Sequence, residues 1–172
     1  GPTVVLGKVN QAGSFGTGNS WYLPSASASS TVSPTTAFSV SAWFKTSSFD
    51  TYDIIVSNTN GSSAKRGWVI LTSSSGGQIN FSLCDSDCSS YAANNAIKSF
   101  SNDGNWHHVA GTWDGTTMRI YVDGAAGGTD TFSLVPDYPA SNQFTIGAGT
   151  GNGLNWNGQV DEVRIYNRAL LA

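Results

Sequence analysis

The strongest constraint on the fold is an alternation of apolar and polar side chains in the segment 38–45, "FSVSAWFK". In a β-strand successive side chains point to opposite faces, so a period of two predicts a strand with one face on a core. The same kind of pattern recurs between turn signals in "GWVILT", "QINFSL", "HHVAGTW", "MRIYVDG", "QFTIGAG" and "QVDEVRIYN". Only the final "NRALLA" is typical of the first turn of a helix. The chain is therefore predicted to be all-β.

Two Asp-Gly pairs, at 114–115 and 123–124, separate neighbouring segments of this kind. Asp and Gly tolerate the positive φ that tight hairpin turns require, so the strands on either side are predicted to be antiparallel neighbours. A chain of 172 residues is long enough for one well-buried core. These features predict a single domain over residues 1–172, folded as a two-sheet antiparallel β-sandwich of the jelly-roll type.

The charge and hydropathy patterns argue against two classes of partner. Eight Lys and Arg residues, a net charge of −3 and a sequence pI near 5.0 leave no basic stripe for a phosphate backbone, so nucleic acid is not expected. No apolar run approaches the ~20 residues of a membrane-spanning helix, so a membrane is not expected either.

Gly1 and Pro2 match what a protease leaves after removal of a tag. We therefore expect a domain taken from a larger multidomain protein. We also expect it to be a monomer.

The two cysteines, Cys84 and Cys88, lie in the segment "CDSDC". No second cysteine pair or nearby histidine completes a zinc site. Three intervening residues allow a small disulfide loop, and the alternative is two free thiols in an exposed loop. The disulfide is the favoured interpretation, and it predicts an extracellular or cell-surface location.

Two adjacent histidines, His107 and His108, stand in the predicted strand "WHHVAGTW". Because neighbouring side chains of a strand point to opposite faces, the two imidazoles are not expected to bind one metal. One of them is expected to face the core and to be satisfied by a hydrogen bond. Glu162 is a candidate partner if its strand neighbours that of the histidines.

Five segments carry a resemblance to a known family. In order they are "GKVNQAGSFGTGNSWYLP", "FSVSAWFK", "NWHHVAGTWDGTTMRIYVDG", "FTIGAG" and "WNGQVDEVRIYNRAL". Together they resemble bacterial laminin-G-like domains of the concanavalin A-like lectin and glucanase superfamily. The resemblance implies a jelly roll with one convex and one concave sheet. It implies function less directly, because the fold hosts lectins, carbohydrate-binding modules, glycosidases and protein-binding domains.

The carboxylates argue against a glycosidase. Glycoside hydrolysis needs two carboxyl groups roughly 5 to 9 Å apart across a cleft. The glucanases that the chain resembles place paired glutamates on one strand, whereas Glu162 is the single glutamate here. Its neighbour Asp161 is adjacent in a predicted strand and should point to the other face. The domain is therefore not expected to be an enzyme.

Sugar binding is the favoured function, because aromatic rings stack on sugars while amides hydrogen-bond their hydroxyls. Trp43, Trp106, Tyr121 and Tyr166 occupy positions where members of the family that the chain resembles carry aromatics, and they are assigned to core or inter-sheet packing. The predicted binding residues are instead Trp21, Trp68, Tyr91, Tyr138, Trp156, Asn152 and Asn155. The predicted function is a non-catalytic module that binds a polysaccharide. The alternative is a protein-interaction or adhesion module, in which the same exposed aromatics would anchor a protein.

Calcium is the ion that the resemblance favours. It takes six to eight oxygen ligands from carboxylates, amides and carbonyls. Asp161 and Asn19 are the candidate ligands of a structural site. A second interpretation stays open, in which Asp161 caps a turn or pairs with Arg164 or Arg168.

Overall fold

A computed structural model describes residues 1–16, 18–23, 32–48, 50–59, 66–73, 77–85, 94–148 and 154–171. Within these ranges the chain is built of strands and contains no helix, which confirms the predicted all-β class. No helix in this part of the chain is therefore long and apolar enough to cross a membrane. The strands are β1 Thr3–Leu6, β2 Gln11–Phe15, β3 Trp21–Leu23, β4 Phe38–Lys45, β5 Ile54–Thr59, β6 Gly67–Thr72, β7 Gln78–Cys84, β8 Asn95–Ser99, β9 Trp106–Trp113, β10 Thr117–Val122, β11 Ala125–Thr131, β12 Gln143–Ile146 and β13 Gly158–Tyr166.

The strands form two sheets that pack face to face. One sheet has the order β1-β2-β13-β4-β9-β10-β11, and the other has the order β3-β12-β5-β6-β7-β8. Neighbouring strands pair antiparallel in both sheets. The predicted two-sheet jelly roll is therefore confirmed. We call the sheets the seven-stranded and the six-stranded sheet, and we call the side of each that faces away from the other its outer face.

The core between the sheets is centred on aromatic rings. Phe38 begins β4, and its ring centroid lies 5.9 Å from that of Phe81, 6.0 Å from that of Trp113 and 6.2 Å from that of Trp68. The alternation predicted for β4 is observed, because its inward side chains are fully buried. Aromatic contacts of this kind add to the free energy gained by burying apolar area. The core therefore fixes which residues of β4 point outward.

The six-stranded sheet is also covered on its outer face. A second apolar cluster lies there, separate from the main core, and Tyr52 and Leu154 pack against it. The hydroxyls of Ser57 and Thr145 are buried and hydrogen-bonded to each other at 2.8 Å. The described residues of β5, β6 and β7 therefore offer little surface to a ligand. The buried members of the cluster are Ile54, Val69, Leu71 and Cys84.

The segment 167–171 is not helical, so the predicted helical turn at the end of the chain is wrong. The Ser39 hydroxyl on β4 donates to the carbonyl of Arg168 at 2.9 Å and accepts from the N–H of Leu170 at 2.8 Å. These bonds satisfy backbone groups that a helix would otherwise pair internally. The segment therefore lies along the outer face of β4.

The predicted hairpins are present. Asp123 and Gly124 join β10 to β11 with φ of 51° and 76°, and Gly115 has φ of 100° in the turn between β9 and β10. Positive φ at both central residues is the geometry of a two-residue hairpin turn. Asp123 and Gly124 therefore form the two-residue turn that the pattern predicts, whereas Asp114 lacks positive φ and the turn between β9 and β10 is longer.

Gly111 tests the close packing of the two sheets. A Cβ added to this residue of β9 would lie 2.4 Å from the ring of Phe81. We expect Gly111→Ala to lower the free energy of unfolding by about 1–3 kcal/mol, because the ring must move within a packed core. Urea unfolding followed by tryptophan fluorescence measures the change.

Gly16→Ala is the matched control, since a Cβ there meets no atom within 4 Å. This variant should unfold at the same urea concentration as the parent protein. Equal stability of the two alanine variants would contradict the described contact between Gly111 and Phe81.

Candidate functional site

The outer face of the seven-stranded sheet carries a row of polar and aromatic side chains at one end of its central strands. The antiparallel register pairs Ser14 with Gln159, Gln159 with Lys45, and Lys45 with Trp106. Residues directly opposite each other in a sheet share a face. All four side chains are partly exposed. We call these residues the strand-end row; with strands about 4.8 Å apart it spans roughly 14 Å.

A pocket of about 220 Å³ opens beside the strand-end row. We call it the strand-end pocket. Hydroxyl, amide and ammonium groups line it, and together they can donate and accept hydrogen bonds in several directions. This chemistry suits a ligand that carries many hydroxyl groups. The polar side chains of the lining include Ser14, Lys45, Ser47, Ser48, Asn157 and Gln159.

Hydrogen bonds hold the loops around the strand-end pocket in place. The buried hydroxyl of Thr46 donates to the carbonyl of Asn157 at 2.6 Å and accepts from the N–H of Ser48 at 3.1 Å. The Asn157 amide donates to the Ser48 hydroxyl at 3.1 Å, and the N–H of Gly104 donates to the Thr46 carbonyl at 3.0 Å. A wall fixed before binding loses less conformational entropy when a ligand arrives.

A second pocket of about 120 Å³ lies on the same outer face. The ring of Trp43 borders it, the His108 ring lies 5.2 Å from the Trp43 ring, and the ammonium group of Lys8 lies 4.4 Å from the Trp43 ring centroid. We call this depression the central pocket. Its lining is Val9, Ser41, Trp43, His108, Glu162, Arg164 and Tyr166.

A β-bulge shapes the wall of the central pocket. The pairing of β13 with β4 shifts between Asp161 and Arg164, and Glu162 within the bulge has φ of 49°. A non-glycine residue held in the left-handed region costs about 1–3 kcal/mol. The Glu162 carboxylate pairs with the Arg164 guanidinium. Hydrogen bonds to Glu162 and Tyr166 raise the pKa of Arg164.

Asp161 caps the backbone around the central pocket. Its Oδ2 accepts from the N–H of Val9 at 2.8 Å, and its Oδ1 accepts from the N–H of Glu162 at 2.7 Å. One carboxylate therefore joins the turn after β1 to the bulge. This geometry agrees with the second interpretation of Asp161, as a residue that caps a turn.

The described residues do not by themselves fit a calcium site at Asp161. Backbone N–H groups already occupy one acceptor position on each of its oxygens. Asn19, the other candidate ligand, lies in the turn after β2, where its own N–H donates to the Gly16 carbonyl at 3.0 Å. In the ranges that the structure describes, no three His, Cys, Asp or Glu side chains are grouped to hold a metal ion. Calcium binding therefore stays a prediction.

The two histidines point to opposite faces of β9, as predicted. His107 faces inward, with its ring 5.7 Å from that of Phe44, while His108 lines the central pocket. His107 is bonded through Nδ1 to Asp123 at 2.7 Å and through Nε2 to Asp103 at 3.2 Å. Glu162 is not the partner, because β4 separates β9 from β13.

These contacts shift the pKa values of the two imidazoles in opposite directions. Burial by itself lowers the pKa of His107, but the hydrogen bonds to Asp123 and Asp103 outweigh burial and raise the pKa above its ordinary value. Burial lowers the pKa of His108, and the positive charge of Arg164 lowers it further. His107 therefore gains a proton more readily than His108.

Two of the predicted aromatic platforms are wrong. Trp68 and Trp156 are both 0% exposed, so neither can stack on a sugar. The Trp68 indole N–H donates to the Val32 carbonyl at 2.9 Å, and the Trp156 ring meets Phe44 edge-on at 5.7 Å. A polar, glycine-rich neighbourhood in sequence does not prevent a tryptophan from filling the core.

Tyr138 is also a packing residue and not an open platform. Its ring packs against the main core and its hydroxyl donates to the Pro34 carbonyl at 2.9 Å. Burial raises the pKa of the phenol. Asn155 is partly buried and forms isolated bridges to Ile54 and Ala148.

Three predicted residues, Tyr91, Asn152 and Cys88, lie outside the described residues. Cys84 is buried at the end of β7. The disulfide between Cys84 and Cys88 therefore stays a prediction.

Trp21 is 41% exposed, as expected for an outward-facing aromatic. Its ring contacts Phe15 edge-on at a centroid distance of 5.2 Å. A Cβ added to Gly13 would lie 2.7 Å from the tip of the Trp21 ring, so this tip closes the edge of the sandwich. The predicted role of Trp21 in sugar binding stays a prediction.

The sequence interpretation missed Trp43, Trp106 and Tyr166, which it assigned to core or inter-sheet packing. All three are partly exposed; Trp43 and Trp106 face outward, and Trp43 and Tyr166 line the central pocket. The alternation in β4 contains the signal, since Trp43 is out of phase with the apolar residues on either side of it. The position of a residue in the apolar–polar alternation of its strand therefore predicts the direction of its ring better than its aromatic character does.

Comparison with known proteins agrees with this fold. A model of the laminin G-like family, described as the concanavalin A-like lectin/glucanases superfamily, matches residues 15–172. The chain belongs to this family. None of the curated proteins compared with the sequence matches it.

Several solved structures share the fold at low sequence identity. Domain 4 of AbnA, a GH43 extracellular arabinanase from Geobacillus stearothermophilus, in complex with arabinotriose, is 19% identical with a TM-score of 0.69 over 99% of this chain and 77% of that chain. The CBM40 of Ruminococcus gnavus IT-sialidase bound to α2,3 sialyllactose is 16% identical with a TM-score of 0.68, over 92% and 89%. Domains LG4-5 of mouse laminin α1 are 12% identical with a TM-score of 0.64, over 99% and 44%. The present chain therefore spans less than half of the laminin chain that it matches.

The contacts of His107 predict a pH dependence of stability. Because the pKa of His107 is raised in the folded protein, protonated His107 stabilises the fold below its ordinary pKa of about 6.5, and this contribution is lost as the pH rises through the folded value. We expect the difference in free energy of unfolding between the parent protein and His107→Gln to shrink between about pH 6 and about pH 8. Urea unfolding at each pH measures it.

His108→Gln is the matched control. Because the pKa of His108 is lowered, its protonation disfavours the folded state, and the difference between parent and variant should change with pH in the opposite sense. A difference for His107→Gln that stays constant over this range would contradict the hydrogen bonds described for His107.

Proposed function

We propose that this domain is a non-catalytic carbohydrate-binding module and that the outer face of the seven-stranded sheet carries its binding site. The observation that carries the proposal is the strand-end row, which sets a tryptophan, an ammonium group, an amide and a hydroxyl side by side next to a preformed polar pocket. Sugars present hydroxyl groups at their rim and C–H groups on their faces, so this combination of groups complements them.

The strand-end row matches this chemistry residue by residue. Trp106 is partly exposed at one end, where its ring can stack on the face of a sugar. Gln159 and Ser14 lie across the sheet from it and can bond sugar hydroxyls through an amide and a hydroxyl. Lys45, between Trp106 and Gln159, adds three donors.

The carboxylates support a binding role without catalysis. Glu162, the one glutamate of the chain, is paired with Arg164, and both oxygens of Asp161 accept backbone N–H groups. A glycosidase needs one carboxyl group free to give a proton and a second free to activate water or attack the sugar. Neither carboxylate is available in this way.

The comparisons support the ligand class and the location. Two of the structural neighbours are bound to sugars, one to arabinotriose and one to sialyllactose, and the first belongs to an extracellular enzyme. We therefore propose that the domain acts outside the cell, beside other domains of its parent protein. Arabino-oligosaccharides and sialyllactose are the first ligands to test.

Isothermal titration with these sugars, and pull-down with insoluble polysaccharides, tests the proposal. We expect Gln159→Ala to weaken binding about fivefold, the worth of one hydrogen bond. Trp106→Ala removes a stacking surface and should weaken binding about tenfold. Repeating the titrations with a calcium chelator tests the predicted calcium in the same experiment.

Trp21→Ala is the control for the location of the site, because Trp21 is exposed at the other sheet's edge strand. With the site at the strand-end row, this variant binds as the parent protein does, whereas the binding role predicted for Trp21 from the sequence requires weaker binding. Loss of binding in Trp21→Ala alone would instead place the platform at Trp21. Absence of binding to every glycan by a folded protein would reject carbohydrate binding.

One observation favours a protein-interaction module as the second candidate. Val4 and Leu6 on the edge strand β1 are 59% and 85% exposed, and Val4 pairs with Gly13, which the Trp21 ring approaches. Exposed apolar residues beside a sheet edge can anchor a protein partner. This function predicts that Leu6→Ser weakens association with a protein while leaving sugar binding unchanged.

A further inference from the structure

We propose that the central pocket is a second sugar subsite and that the outer face of the seven-stranded sheet binds a neutral oligosaccharide chain of several units. The inference rests on the proposed function and deepens it, since it distinguishes a chain of sugars from a single sugar. Three observations carry it: the continuity of the two pockets, the chemistry of the second, and the strained residue that shapes it.

The two pockets lie on one continuous surface. Lys45 at the strand-end pocket and Trp43 at the central pocket are two residues apart on β4, so they share its outer face. Trp106 and His108 stand in the same relation on β9, and the register pairs His108 with Trp43. Residues two apart on a strand are separated by about 7 Å. From Lys45 to Ser41 the surface therefore runs about 14 Å along β4, which exceeds one sugar ring.

The central pocket repeats the combination of groups found at the first pocket. Trp43 and Tyr166 supply aromatic rings, and the buried Ser41, which is 5% exposed, lines the pocket with them. Aromatic rings beside a small side chain offer C–H contacts to the face of a sugar. The pair formed by Glu162 and Arg164 presents an acceptor beside a donor with its charges balanced, which suits neutral hydroxyl groups.

The Lys8 side chain lies over the Trp43 ring, which is the surface on which a sugar would stack. Its ammonium group lies over the Trp43 ring, on a turn after β1 that also contains Asn10 at φ of 56°. The Lys8 side chain is exposed, so it can move aside from the ring and donate to a bound hydroxyl. The Asp161 carboxylate fixes this turn through the N–H of Val9.

The bulge at Glu162 serves both the fold and the central pocket. It changes the phase of β13, so that Val163 and Ile165 pack against the core, and it holds a glutamate at positive φ in the lining of the pocket, where glycine would fit without strain. Strained backbone of this kind persists where the surrounding structure enforces it, and it clusters at ligand sites. Glu162→Gly should therefore relieve the strain and remove the ligand contact together.

The test is the dependence of affinity on chain length. The probes are arabino-, xylo- and manno-oligosaccharides, each from the monosaccharide to the tetrasaccharide, titrated by calorimetry into the parent protein and its variants. We expect affinity in the parent protein to rise by about tenfold or more from one unit to the longest chain. In Glu162→Gly most of this gain should disappear, with the affinity for the shortest ligand unchanged and the urea midpoint equal to or above that of the parent protein.

Two variants complete the design. Asn10→Gly is the matched control, because it removes a positive-φ side chain from the neighbouring turn, and it should keep the full gain with chain length. Tyr166→Ala removes a wall of the central pocket without changing the bulge, and it should reduce the gain as Glu162→Gly does. If Glu162→Gly and Tyr166→Ala reduce the gain equally, the cause is a lost contact with the sugar and not a local change of backbone at the bulge.

The outcomes separate the inference from the proposed function. Affinity that does not depend on chain length, or an undiminished gain in both Glu162→Gly and Tyr166→Ala, would overturn the inference while sugar binding at the strand-end pocket stands. If Gln159→Ala weakens binding at every length and the gain is lost with Glu162→Gly, both are supported. No binding by any oligosaccharide at any length would overturn both.

Discussion

The packing of the Phe38 ring between Phe81, Trp113 and Trp68 is the contact on which the rest of the structure depends. It determines which face of β4 is buried, and the period of two then sends Trp43 outward. A shift of one residue in register would expose Phe38, whose burial contributes about 1.5–3 kcal/mol, and would turn the polar residues Ser39, Ser41 and Lys45 toward the core. The position of the candidate site is thus a consequence of core packing.

Much of the fold follows from local sequence, because alternation and turn residues report directly on strands and hairpins. The Asp-Gly turns and the opposite directions of His107 and His108 were predictable on that basis. The site was less predictable, because exposure depends on elements far apart in sequence. Trp156 lies among glycines and asparagines, yet it packs on Phe44 more than a hundred residues earlier. The final segment fails in the same way, since its partner is Ser39 on β4.

Two features of the outer face differ in how far the sequence predicts them. The bulge at Glu162 coincides with a change of phase in the sequence, because Val160, Val163 and Ile165 all pack on the core although the first two are three residues apart. Asp161 could equally be a metal ligand or a cap from sequence alone, and the choice depends on the N–H of Val9, which lies 152 positions earlier. Both features shape the central pocket, so the part of the site that is hardest to predict is the part that depends on non-local backbone contacts.

The two sheets differ in a way that assigns them different roles. Strands β5, β6 and β7 of the six-stranded sheet are buried on both faces, and the outer-face hydroxyls of Ser57 and Thr145 are hydrogen-bonded to each other. The seven-stranded sheet leaves polar and aromatic side chains on its outer face partly exposed. The aromatic packing in the core and the hydrogen bonds of the Asp161 carboxylate hold the backbone that carries them. His107 joins the core to this outer face, because its ring contacts Phe44 in the core while its Nε2 bonds Asp103, whose neighbour Gly104 lines the strand-end pocket. The wall of that pocket is therefore tied to the core through the hydrogen bond between His107 and Asp103.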